Sequence, residues 1–141
     1  FKQAKTKGVS LIVRLPLASG LLGGQLNANV PFPENDHRRF NNDGQCFNVG
    51  ETFAGIPFNI GLDLTQELKK MVPEGMTLAK MALRWILDFD AVTVVIPGSK
   101  SPLQVPDNAS ASKLPSLPES LHEKLSIFYN EKIIQHIRGK Y

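Results

Sequence analysis

The stretch that decides the fold is Ala91-Val92-Thr93-Val94-Val95-Ile96-Pro97-Gly98-Ser99-Lys100. Its first six residues are mostly β-branched and are apolar on both faces, the pattern of a strand inside a parallel sheet. Pro97-Gly98 ends the run. Ser101 is then placed to cap a short helix, with Pro102 at its first position. Pro106 is expected to kink that helix or force a restart. A strand leading directly into a helix is half of a βα unit.

Upstream, Val9-Ser10-Leu11-Ile12-Val13-Arg14 reads as a second buried strand, preceded by Gly8 and ended by Leu15-Pro16-Leu17. Helical patterning occupies Leu64–Met71 and is broken by Pro73-Glu74-Gly75. Thr77 caps a further helix over 77–89, with Leu78, Met81, Ala82, Trp85, Ile86 and Phe89 forming one apolar core face. Downstream, Ser116-Leu117-Pro118-Glu119 reads as a capping box. It opens a long helix toward Arg138, with Leu121, Leu125, Phe128 and Ile133 inward. Residues 18–62, rich in Gly, Asn, Pro and Phe, read as a long loop, a length that compact domains tolerate where the loop is functional.

Strands separated by helices imply parallel βα units and an α/β fold. Two parallel strands alone have two open edges and an uncovered face, so the rest of the sheet is expected from elsewhere. Phe1 to Gly8 resemble the tail of a helix already under way, with no initiator Met and no leader. The chain is therefore expected to be a piece of something longer.

Composition narrows the classes. The chain has 141 residues, 42% hydrophobic and 21% charged, with a net charge of +3, which fits one globular unit and excludes a disordered chain. No apolar run approaches the ~18 residues of a membrane span. The positive excess is scattered, with Arg38-Arg39 and Lys69-Lys70 the only doublets, so no nucleic-acid partner is expected. The single Cys46 excludes an internal disulfide, fits a reducing, cytoplasmic compartment, and reads as an unreactive loop thiol. In such a compartment the sequon Asn108-Ala109-Ser110 would stay unmodified. His37, His122 and His136 lack metal or catalytic spacing and read as surface residues. Asp88 and Asp90 read as a solvated turn.

The chemistry is expected just past the two strands. After the first lies Leu15-Pro16-Leu17-Ala18-Ser19-Gly20-Leu21-Leu22-Gly23-Gly24, whose glycines permit close backbone approach to a ligand. After the second lies Gly98-Ser99-Lys100 with a helix start, a hydroxyl and a full positive charge. Either loop alone is equally well an ordinary turn. Parallel α/β proteins place ligands at this end of their strands, and barrels often hold phosphate after the last two. The pair together points to a phosphate-bearing ligand.

Pro16 to Gly24, then Asp36-His37-Arg38, Glu51-Thr52-Phe53, and Ile96 to Lys100 with Gln104 and Asn108, closely resemble the C-terminal part of aldo-keto reductases. The resemblance runs from about Gly8 to Arg138. It implies the last two strands, with their helices and a C-terminal helix, of a partial TIM (β/α)8 barrel, the N-terminal catalytic portion being absent. It also implies NADP as cofactor. Leu17, Ser19, Gly20 and Leu22 would line the pyrophosphate through their backbone. Gly98, Ser99 and Lys100 would cradle the adenosine 2′-phosphate. Gln104 and Asn108 would face the adenine and its ribose, with Asp107 nearby. Arg38 is a candidate clamp from the long loop, or else a solvated charge. Two departures stand out. Gln25 replaces a lysine common in the family, and Pro106 separates Gln104 from Asn108.

The family's catalytic Asp, Tyr, Lys and His map onto no residue here, and Tyr129 and Tyr141 lie in the terminal helix region. No catalytic or metal-binding residue is carried over. The parent would reduce small carbonyl substrates to alcohols, and this chain would need the N-terminal barrel portion to do so. The alternatives are a regulatory nucleotide-binding module, similar to potassium-channel β subunits with their membrane partner, or an inactive gene fragment.

Overall fold

The computed structural model describes residues 1–29 and 31–139. The elements in chain order are α1 (Lys2–Thr6), β1 (Leu11–Val13), α2 (His37–Phe40), α3 (Phe58–Lys69), α4 (Leu78–Leu87), β2 (Val92–Val95), α5 (Gln104–Ser110) and α6 (Glu119–Phe128). Short 3-10 turns fill Ala18–Gly23, Val49–Glu51, Phe53–Gly55 and Ala111–Lys113, and α6 continues through a π-turn at Tyr129–Ile133 to His136.

β1 and β2 pair in parallel, with Leu11 opposite Val92, Ile12 opposite Val94 and Val13 opposite Val95. The crossover between them carries α3 and α4. The strands are less buried than their sequences suggest. Ile12 is 65% exposed and Val94 40%, because among the described residues nothing covers that face of the two-stranded sheet.

The core lies among the helices instead. Leu78 and Met81 of α4 pack against Leu117 and Leu121, with Leu22, Leu68 and Trp85 around them. A second cluster joins Ile56, Leu64 and Phe128. Thr77 caps α4 as expected, its Oγ1 accepting from the Lys80 N–H at 3.2 Å. The apolar face of α4 is wider than its sequence pattern, since Leu83 is also buried.

Four local expectations are corrected. α3 begins at Phe58, six residues before Leu64, with Pro57 as its N-cap. Ser116 does not cap α6, because Pro118 holds the N-cap position with no side-chain bond. α5 begins at Gln104, not Pro102, the Gln104 N–H closing a turn on the Ser101 carbonyl. Pro106 neither kinks nor restarts α5, because it occupies the first helical turn, where its missing N–H costs nothing.

Residues 18–62 are also better organised than a bare loop. Fully buried Asn41 accepts the Cys46 and Phe47 N–H groups on Oδ1 and donates to Thr52 Oγ1. Arg138 closes the segment from the other end of the chain, with Nε donating to the Gly55 carbonyl at 2.9 Å and Nη1 pairing with Asp43 at 2.6 Å. Cys46 is exposed, its thiol near the Phe40 carbonyl.

Candidate functional site

Both expected ligand loops leave the same end of neighbouring parallel strands. The first turns abruptly. Leu15, Ala18 and Ser19 all have positive φ, and so do Phe53 and Ala54. Non-glycine residues rarely adopt this conformation, and they persist only where the surroundings enforce it.

Ser19 joins the two strained turns. Its hydroxyl donates to the Glu51 carbonyl (3.2 Å), accepts the Phe53 N–H (3.1 Å) and lies 3.3 Å from His37 Nε2. The Ser19 side chain is therefore spent inside the protein. Gly20 and Leu22 are constrained as well, both N–H groups closing on the Leu17 carbonyl at 2.9 and 3.2 Å. The Leu22 side chain packs into the helical core. This loop therefore offers a ligand close approach along its backbone rather than these two donors.

Arg38 covers the turn. A Cβ built on Gly20 would lie 3.6 Å from Arg38 Nη1. The guanidinium is held by Asp36, with Nε donating to Oδ1 at 3.0 Å and Nη2 to Oδ2 at 2.6 Å. The Phe32 ring lies beneath it at 4.5 Å. The hydrogen bonds from Arg38 outweigh the cost of burial and hold the Asp36 carboxyl down at about 2. Arg38 is thus a fixed cation, not a freely solvated loop charge.

The second loop is shaped by its own helix. The Lys100 N–H donates to Gln104 Oε1 at 2.7 Å, and Asn108 Nδ2 donates to Ser99 Oγ at 3.1 Å. Gln104 and Asn108, one turn apart on α5, are thus both turned back on the loop rather than toward an adenine. Asp107 pairs with Lys80 of α4 at 2.7 Å. Lys100 is exposed and makes no ion pair among the described residues, and a side chain at Gly98 would meet nothing within 4 Å. An unpaired ammonium beside an open glycine suits a phosphate group.

Two readings of polar residues are corrected. Asp88 is not in a solvated turn. Its side chain is 6% exposed, and it accepts from Arg84 Nε (3.0 Å), the Leu117 N–H (3.0 Å) and His122 Nε2 (2.9 Å). His122 is accordingly a helix-pairing residue rather than a free surface group, and it stacks near Trp85. Arg84 lies one helical turn from Asp88, but the Leu117 and His122 partners lie about thirty residues away in sequence. Asp90 is exposed and pairs with Lys5, and His37 sits against Ser19. The positions of Asp36, His37 and Ser19 superficially suggest a nucleophile triad. However, His37 Nδ1 is 3.6 Å from Asp36 Oδ1, beyond hydrogen-bond range, and Arg38 already occupies that carboxylate. Tyr129 is exposed on the π-turn, and Tyr141 lies outside the described residues. Among the described residues no group of His, Cys, Asp and Glu is placed to hold a metal, and no helix is long and apolar enough to cross a membrane.

Comparison with known proteins supplies the family. The profile of the aldo/keto reductase family matches residues 1–130. Aldo-keto reductase str7 of Strobilurus tenacellus is 30% identical over 112 residues, covering 79% of this chain and 31% of that protein. L-glyceraldehyde 3-phosphate reductase of Escherichia coli K12 is 31% identical over 108 residues, covering 76% of this chain and 30% of that protein. Among solved structures, glycerol dehydrogenase AKR11B4 of Gluconobacter oxydans superposes with a TM-score of 0.72 at 20% identity, covering 99% of this chain and 40% of that one. The apo form of aldo-keto reductase AKR11C1 of Bacillus halodurans superposes with a TM-score of 0.56 at 24% identity, covering 90% of this chain and 36% of that one. The chain thus spans about a third of the length of the curated relatives it matches. On sequence and fold together, the chain belongs to the aldo/keto reductase family.

Proposed function

We propose that this chain supplies the NADP-holding end of a carbonyl-reducing oxidoreductase. In this reading it forms the last two strands, their helices and the terminal helix of a partial (β/α)8 barrel. The earlier strands and the catalytic groups come from an N-terminal portion. The parent reaction is reversible reduction of an aldehyde or ketone in a cytoplasmic setting, with NADPH supplying the hydride.

The supporting observation is the unpaired Lys100 and open Gly98 beyond β2, beside a strained glycine turn beyond β1 that Arg38 covers. Lys100 pairs with the dianionic 2′-phosphate, which selects the phosphorylated cofactor. The Leu17–Leu22 backbone lies along the pyrophosphate, and Arg38 closes over it. Gln104 and Asn108 first fix the shape of the Gly98–Lys100 loop, and their remaining polar atoms serve the ribose and adenine.

The test is a fluorescence titration of the chain and of Lys100→Met with NADPH and NADH. A hydrogen bond to a charged group is worth about 1.5–3 kcal/mol, so NADPH affinity should fall roughly 10- to 100-fold while NADH affinity hardly changes. Equal losses for both cofactors contradict the assignment. The chain alone should show no NADPH-dependent carbonyl reduction, and clear turnover refutes the proposed division of labour.

A further inference from the structure

We infer that Asp36 is a positioning residue, which with Phe32 holds Arg38 as a preformed strap over the Gly20 turn, so that the uncommitted edge of the guanidinium meets the diphosphate of the cofactor. This rests on the cofactor reading above and adds to it the group that sets the clamp before ligand arrives.

The geometry separates a strap from an ordinary surface ion pair. Asp36 receives three groups of Arg38: its backbone N–H at 2.9 Å, Nε at 3.0 Å and Nη2 at 2.6 Å. The carboxylate thus fixes both the local backbone and one edge of the guanidinium. The Phe32 ring fixes its face at 4.5 Å. That ring is itself anchored, edge-on to Phe58 with centroids 5.4 Å apart and 6.0 Å from fully buried Phe53. Ser19 Oγ accepts the Phe53 N–H, so the aromatic platform on which Arg38 rests and the turn it covers are tied through one residue. Nη1 is the remaining edge. It makes no protein hydrogen bond among the described residues and lies 3.6 Å from where a Gly20 Cβ would sit. A long flexible side chain held in its bound geometry loses little freedom on meeting an anion, and so binds it more tightly.

Charge and positioning predict opposite signs for one substitution. Asp36 is an anion close to where the diphosphate would lie. If charge alone mattered, Asp36→Asn would remove repulsion and tighten NADPH binding. If Asp36 positions Arg38, the same change frees the guanidinium and weakens binding. Asn preserves size and caps helices as well as Asp does, so α2 keeps its start.

The experiment titrates NADPH into the chain, Asp36→Asn, Arg38→Ala and the double variant, at one ionic strength. We expect Asp36→Asn to bind about 5- to 10-fold more weakly, Arg38→Ala at least as weakly, and the double variant within about twofold of Arg38→Ala, because coupled residues do not add. Binding by Asp36→Asn equal to or tighter than the parent chain overturns the inference. So does an undiminished Asp36→Asn loss in the Arg38→Ala background, which would mark a merely structural role. If Asp36→Asn is neutral while Lys100→Met still separates NADPH from NADH, only the strap fails. If the unaltered chain does not bind NADPH, the cofactor reading fails and the strap with it.

Discussion

Replacing Asp88 by alanine should cost this small fold a large share of its stability. The Asp88 carboxylate is 6% exposed and the Arg84 side chain 11%, so water does little to screen the pair. One oxygen takes Arg84 Nε at 3.0 Å, and the other takes the Leu117 N–H at 3.0 Å and His122 Nε2 at 2.9 Å. Removing the carboxylate strands a nearly buried guanidinium and a backbone donor just before α6. Breaking one side of a buried pair costs about 3–5 kcal/mol, and the partial exposure of His122 puts the estimate at the lower end, about 3 kcal/mol. Small domains have only about 5–15 kcal/mol in total. Urea unfolding followed by circular dichroism reads this directly. With a urea slope of about 1.5 kcal/mol per molar, the midpoint should fall by about 2 M. Asp88→Asn, which keeps an acceptor for Leu117, should lose roughly half as much. A loss under about 1 kcal/mol for Asp88→Ala refutes the claim that this cluster joins α4 to α6.

The same group gives the sign of a pH effect. Burial pushes the Asp88 carboxyl up, but the Leu117 N–H, His122, Ser116 and Arg84 together outweigh it and hold it below its ordinary 3.8. A carboxyl with a depressed folded-state value adds stability that is full above 3.8 and is lost as pH falls below it. Acid unfolding of Asp88→Asn should lack that component, and an identical acid profile contradicts the assignment.

Substitutions at two further positions probe the turn that follows β1. Ser19→Ala removes the acceptor of the Phe53 N–H and should cost about 2 kcal/mol, whereas Ser19→Gly should cost about 1 kcal/mol less because it relieves the positive φ; thermal unfolding of the pair checks both. Gly61→Ala would place a Cβ 2.7 Å from Leu21 Cδ1. Overpacking of about 1–3 kcal/mol then exceeds the roughly 1 kcal/mol gained in helix propensity, so urea unfolding should show a net loss, and a stabilised variant would contradict the tight seating of α3 on the 18–23 turn.

The sequence made some of this legible and hid the rest for identifiable reasons. β1 and β2 announce themselves through β-branched runs bounded by Gly and Pro, and Thr77 through a local capping bond. That Gly98 and Lys100 follow β2 is legible because it depends only on where a strand ends. The start of α3 was obscured because Asn59 and Gly61 look like loop residues, yet Gly61 is there to admit Leu21. The apparent capping box failed because α6 begins only at Glu119, which leaves Pro118 and not Ser116 at the N-cap position. The role of the Ser19 hydroxyl was invisible because its partners, Glu51 and Phe53, lie 32 and 34 residues away. The strand ends and the Thr77 cap depend on near neighbours and carry over into the structure, whereas the Ser19 and Asp88 contacts depend on partners 29 to 34 residues away.

These features also divide by position along the strands. Asp88 follows α4 directly and precedes β2, so the Arg84–Asp88–His122 cluster sits at the end where β2 begins. Ser19, Gly20 and Lys100 sit at the opposite end, past the last residues of β1 and β2. At the first end every buried polar group is paired and the helices are bound together. At the second, Leu15, Ala18, Ser19, Phe53 and Ala54 hold strained backbone, and Lys100 is left without an ion partner among the described residues. A fold that sought stability alone would relax those turns with glycine. Non-glycine residues held at positive φ at the end where β1 and β2 finish, with the buried Asp88 cluster joining helices at the other, are what a parallel α/β protein needs if the first of these ends must accept an anionic ligand. The Asp88 and Ser19 variants therefore test two halves of one design: the first should change stability and leave NADPH affinity intact in whatever remains folded, while the second should change both.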